Sequence, residues 1–265
     1  MKNTMVVVFY GIALFSCLIG TICGMGGGVI IKPVLDASQL MPVATVNFLS
    51  GVTVVGMTLW SVGRTLIKGE SIIDLRIGTL LALSAAIGGL AGKQLYRMVA
   101  AFFENPNTAG GIQGVLLFLA TGATLIYTLR RGKIPPKQIK SRGITLMIGF
   151  VLGVFGAFLG IGGGPFNVAV LCYFFSMATK TATQNSLYII LFSQAASTGY
   201  SLIRGSVTDF YIPILLGMVA FGILGSELGR RLNGRLTTRQ ADWMLVGAMV
   251  LIMGLSGGNA VAYLL

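Results

Sequence analysis

Two short glycine clusters, Gly24-Met25-Gly26-Gly27-Gly28 and Gly160-Ile161-Gly162-Gly163-Gly164, stand 136 positions apart, and each interrupts a long apolar run. A backbone broken inside an apolar run leaves N–H donors unpaired, and the start of the next helix adds positive dipole character. Such a pair of ends suits the holding of an anion. Pro165 follows the second cluster, and proline fits a first helical position because its missing N–H would be unpaired there anyway. Val29 stands at that place in the first copy, with Pro33 further on, so the first turn is less fixed by sequence. Glycines also serve close helix packing, and the spacing of Gly88/Gly92 and Gly225/Gly229 is read that way.

Further candidates flank the clusters. Thr45 and Asn47 open the apolar run after the first cluster, and Thr183 and Asn185 open the run after the second. A buried amide must find a partner, so these asparagines either brace the glycine turns or touch the anion. Gln184 and Asn167 are unpaired additions. Lys32 lies four residues after Gly28, where the second copy has Val168. It either draws an anion toward the glycines or extends its stem to the headgroup region, and the second is the plainer expectation. Glu227 precedes Arg230 and Arg231 at the spacing of a helix-surface ion pair. It is also the leading protonation candidate if transport is proton-coupled. Cys23 reads as a small apolar filler.

The same inventory excludes other chemistries. Histidine is absent, the three cysteines stand singly in apolar runs, and no phosphate-cradling nucleotide motif occurs. No catalytic residue, metal site or cofactor is therefore expected.

The elements that carry these residues are membrane helices. Of the 265 residues, 55% are hydrophobic and 10% charged, against roughly 25% charged in soluble domains. The apolar runs are continuous and of spanning length, unlike the alternating segments of a barrel. Eight segments follow: Met5–Cys23 with its continuation Val29–Leu35, Val43–Val62, Leu75–Leu95, Gly111–Leu129, Ile144–Leu159 with Pro165–Met177, Ala182–Ile203, Phe210–Leu232 and Ala241–Leu255. Residues 1–129 and 143–265 read as two copies of one unit, joined by the basic linker 130–142 with its Pro135-Pro136 pair. Lys68-Gly69 matches Arg204-Gly205, and the stretch Gly88–Leu95 matches Gly225–Leu232.

Charge decides the orientation. If the two glycine-broken segments enter and leave on one side, each half crosses three times and the halves are inverted. One side then holds 14 cations (Arg64, Lys68, Arg76, the six of the linker, Lys180 and the arginines at 230, 231, 235 and 239) and the other 5. If all eight segments cross, the division is only 11 to 8. The positive-inside rule favours the inverted scheme, with both termini outside the cytoplasm. The net charge of +12 is thus explained without nucleic acid. The expected class is an all-α polytopic membrane protein of two inverted repeats, each a glycine-broken re-entrant hairpin plus three transmembrane helices. Its expected partners are a small anionic substrate and membrane lipid, and a homo-oligomer is compatible with the sequence.

With its duplicated half, a GxGGG cluster in each copy and an asparagine early in the segment after each, the chain resembles the TauE/SafE sulfite-exporter family over nearly its full length. The resemblance implies a bacterial inner-membrane secondary transporter of a small sulfur-containing or organic anion such as sulfite or a sulfonate. It implies that the glycines of both clusters shape the anion site. An anion channel of the same architecture is the alternative.

Overall fold

The apolar runs fold as helices, and the breaks fall at the glycines. A computed structural model of the protein describes residues 2–69, 71–103, 106–205 and 211–264. Its first half comprises α1 (Lys2–Cys23), α2 (Gly28–Ser38), α3 (Val43–Ile67), α4 (Leu75–Phe102) and α5 (Pro106–Arg130). A single 3₁₀ turn, Arg131–Lys133, opens the linker. The second half comprises α6 (Arg142–Phe158), α7 (Pro165–Phe175), α8 (Thr179–Ile203), α9 (Ile212–Arg235) and α10 (Thr238–Leu264). The expected turn at Glu104–Asn107 and the start of the seventh segment at Phe210 fall partly outside the described residues.

Among the described residues, six helices, α1, α3, α4, α5, α9 and α10, are long and apolar enough to cross a membrane. The outward faces are apolar, with Phe15, Ile87, Leu119, Phe150 and Val250 all exposed, the inverse of a soluble surface. Helix α8 has 25 residues, roughly 37 Å at 1.5 Å per residue, but its buried face is rich in Thr, Ser, Asn and Gln. Buried hydroxyls on the long helices bond back to their own carbonyls, as Thr53 Oγ1 does to Leu49 O at 2.8 Å and Thr58 Oγ1 to Val54 O at 2.7 Å. That satisfies them where water is scarce. Asp74 caps α4, accepting from Arg76 N and Ile77 N at 3.0 and 3.2 Å.

The two halves interlock reciprocally. Helix α4 packs on α6 and α9 on α1, while α3 and α8 meet in the middle. The GxxxG pairs make these contacts possible. A side chain on Gly88 or Gly92 would strike the carbonyls of Phe150 and Val154 on α6, and one on Gly225 or Gly229 those of Leu14 and Leu18 on α1. The packing reading of those glycines holds in both halves.

Candidate functional site

The glycine clusters form the turns between α1 and α2 and between α6 and α7, and every residue of both clusters is buried. The turns share one backbone signature. Gly24 and Gly160 both have φ +69°, and Gly26 and Gly162 have +71° and +78°. That is the left-handed region open chiefly to glycine. The two copies diverge only where the next helix begins. A residue before proline is pushed toward extended backbone, and Gly164 before Pro165 has φ −152° and ψ −175°. In the first copy Val29 imposes nothing of the kind. Gly28 is helical, and α2 starts one residue earlier than the matching α7.

Each tip reaches the other half. A Cβ on Gly24 would lie 2.6 Å from Thr183 Cα on α8, and the Gly24 carbonyl accepts from Ser186 Oγ at 2.5 Å. A Cβ on Gly160 would collide with the Asn47 amide on α3, and one on Gly162 with Gln194 on α8. Gly26 and Gly163 face Ile190, close to the midpoint of α8, and Gly26 also faces Val54 near the midpoint of α3. The tips also touch each other. The Cβ direction of Gly28 points at Ile161 O, 2.6 Å away, and at Ser50 Oγ, 2.9 Å away. Gly27 N donates to Met57 Sδ at 3.1 Å. Although α1, with 22 residues, is long enough to cross, it stops inside the bundle at this junction.

Around the junction lie buried polar atoms that have no hydrogen-bond partner in the protein: both amide atoms of Asn47, Ser50 Oγ and Asn167 Oδ1. Unsatisfied buried groups of this kind are costly, so each calls for a partner. The Tyr96 hydroxyl approaches Asn47 without a hydrogen bond of normal geometry.

Two cavities flank the junction at opposite ends of α3 and α8. One is a cleft of about 600 Å³ between the end of α3, the start of α8 and the end of α9. Lys68, Lys180, Arg230, Arg231 and Arg235 line it, with Gln184 on the side of the tips. The other encloses about 10 Å³, room for a single water. Asn47, Lys93, Gly160, Gln194 and Ser201 are among the residues that line it. Beyond it, Tyr200 joins α8 to α4: its hydroxyl donates to Gln94 Oε1 at 2.8 Å and accepts from Arg97 at 3.5 Å. The guanidiniums of Arg97 and Arg204 lie 6.0 and 5.6 Å from the Tyr200 ring centre.

Of the residues singled out from sequence, the glycines, Asn47, Asn167, Pro165 and Thr183 gather at the tips. Thr45 is buried in the first turn of α3. Gln184 stands in the wide cleft, and its Oε1 accepts from Ile72 N at 3.0 Å. Asn185 departs from the symmetry of Asn47. Its Nδ2 donates to Thr181 O at 2.9 Å, and its Oδ1 faces Gly78 on α4. Glu227 is an ion pair, accepting from Arg230 and Arg231 at 3.0 and 2.8 Å and from Trp60 Nε1 at 3.1 Å. Lys32 does not extend to the headgroups. It is buried and bonded to Asp36. Ser50, Ser193, Gln194 and Lys93 were not anticipated. For the serines the signal was the recurrence of small polar residues along α3 and α8.

Interlocked helices around two buried chain breaks, with cavities at opposite ends, define a polytopic membrane transporter. The chain belongs to the TauE/SafE sulfite exporter family, whose model matches residues 9–256. It is 24% identical to the probable membrane transporter protein YunE of Bacillus subtilis, over 93% of this chain and 95% of that one. It is 25% identical to the probable membrane transporter protein MamO of Magnetospirillum gryphiswaldense, over 73% of this chain but 32% of that longer protein. No solved structure matches it.

Proposed function

We propose that the protein is a secondary carrier, an exporter, of a small sulfur-containing or organic anion such as sulfite or a sulfonate. The anion sits between the two glycine tips and is exposed alternately to the two cavities. The observation that carries this reading is the pair of unpaired buried donor residues at the tips, Asn47 and Ser50, with one open cavity and one nearly closed at opposite ends of α3 and α8. Hydroxyl and amide donors suit sulfur oxyanions, and the cations of the wide cleft raise the local anion concentration before binding.

In this reading residues 1–129 and 143–265 are inverted repeats, each crossing three times, and the wide cleft opens on the side of the 130–142 linker, the cytoplasm. Both termini lie on the opposite face. The narrow cavity, sealed beyond by Tyr200, Gln94 and Arg97, is the closed exit. The distribution of cations and the reciprocal packing of α4 on α6 and α9 on α1 support this scheme.

The test is a binding screen of purified protein against sulfite, thiosulfate, sulfonates and carboxylates. Saturable binding of one sulfur oxyanion, lost in Asn47→Leu, is expected. Binding unaffected by that substitution would remove the site from the tips.

A further inference from the structure

We propose that the buried Lys32–Asp36 pair links anion binding to the uptake of one proton, an inference that rests on the anion-carrier reading above. On α2, Lys32 lies about one turn and Asp36 about two turns beyond the first glycine tip. Lys32 Nζ donates to Asp36 Oδ2 at 2.5 Å, the two side chains are only 3% and 5% exposed, and Asp36 Oδ1 has no partner. Charges inside a membrane are costly, and a buried pair adds little stability over apolar residues of similar volume.

The other half shows that the fold does not need these charges. Val168 and Cys172 occupy the matching positions on α7, both are buried, and they complete the same short helix without charge. Nor does the pair fasten α2 to its neighbour. Asn259 Nδ2 donates to the Pro33 carbonyl at 2.7 Å, and the Tyr263 hydroxyl to the Asp36 main-chain carbonyl at 3.0 Å. Those bonds to α10 would survive any side chain at position 36.

The surroundings favour a proton over a metal cation. Lys93 and Tyr96 on α4 lie within electrostatic reach of the pair, Lys93 of Lys32 and Tyr96 of Asp36. Tyr263 faces it from α10, and α1 brings Cys17 and Cys23 toward the start of α2. Helix α3 contributes the amide Asn47 and the hydroxyl Ser50 near the tip. Two ammonium groups repel a sodium ion, whereas a proton needs only the free oxygen of Asp36. Lys93 also lines the narrow cavity with Asn47 and Gly160, so the charged cluster borders the anion site.

The step is simple. With Asp36 ionised, Lys32 is neutralised and offers the anion nothing. A proton from water forms an O–H bond at Oδ1 and cancels the carboxylate charge. The Lys32 ammonium keeps its own protons and turns its charge to an anion at the tips. On release, the Oδ1 proton returns to water and the ion pair re-forms. Anion and proton therefore travel together, and net direction follows the product of their gradients.

The experiment is calorimetry on the purified full chain with thiosulfate and methanesulfonate, whose charges are constant near neutral pH, in buffers of different ionisation enthalpy. The expected result is one proton taken up per anion and affinity falling about tenfold per pH unit on the alkaline side, with Asp36→Asn binding without proton uptake. The double variant Lys32→Val/Asp36→Cys, which copies the other half, is expected to fold and to lose the pH dependence. Binding by the native protein without proton uptake overturns the proposal while leaving the anion site standing. So does a retained pH slope in either variant, a dependence on sodium instead, or failure of the double variant to fold. If neither anion nor sulfite binds at any pH, the carrier reading itself fails.

Discussion

The two hairpins do the same architectural work with different chemistry. Both turn at glycines with matching φ, both bury every residue of the turn, and both press against the opposite half. Yet the first carries a charged pair on its short helix where the second carries Val168 and Cys172, and only the second begins its helix with proline. The asparagines diverge too: Asn47 meets the opposite tip, whereas Asn185 turns to α4. What the halves share is what the fold requires. What they do not share is where a coupling ion is to be sought.

The comparison can be broken at several points. The largest effect is expected at the shared turns. Gly24→Leu and Gly160→Leu each force a side chain into a left-handed conformation and into Thr183 or Asn47. Each should lower anion flux in proteoliposomes on the order of a hundredfold, as about 2.8 kcal/mol of strain in the binding state would do. A large loss from one and none from the other would show that only one tip is functional.

Next comes the shared packing. Gly92→Leu and Gly229→Leu should each destabilise by roughly 1–3 kcal/mol, as overpacked helix contacts do, and by similar amounts in a thermal melt. Unequal losses would mean that α4 on α6 and α9 on α1 are not equivalent interfaces. Cavity access is a subtler probe. A cysteine at Gln184 in the wide cleft should react with a membrane-impermeant maleimide several-fold faster than one at Ser197 in the narrow cavity. Equal rates would remove the difference between the two ends.

The smallest effect concerns the proline. Pro165→Val, which copies the first half, should change stability by less than about 1 kcal/mol, because the first position of a helix leaves its N–H without an intrahelical partner. A large loss would show that the one-residue offset between α2 and α7 matters.

The helical class, the glycine breaks and most segment limits were legible because apolar runs and glycine clusters are local signals. So was the Glu227 ion pair, which depends only on helical spacing. The partners of the tips were not. That Asn47 serves Gly160 rather than the nearer Gly24 depends on how two halves interlock, and no local pattern records it. Lys32 was misjudged for a related reason. Position alone makes snorkelling the plainer expectation, and only the depth of α2 in the bundle makes Lys32 and Asp36 a sealed pair. Ser50 is an individually unremarkable residue, and its place beside Gly28 is seen only once α3 packs against the first tip.

The account's central claim is that the tips bind an anion that is carried rather than conducted. Counterflow of labelled sulfite in proteoliposomes tests it most directly. The account predicts saturable uptake that accelerates when unlabelled sulfite is loaded inside, and that is lost in Gly163→Leu. Uptake that is linear in concentration, indifferent to internal sulfite and accompanied by single-channel currents would contradict it.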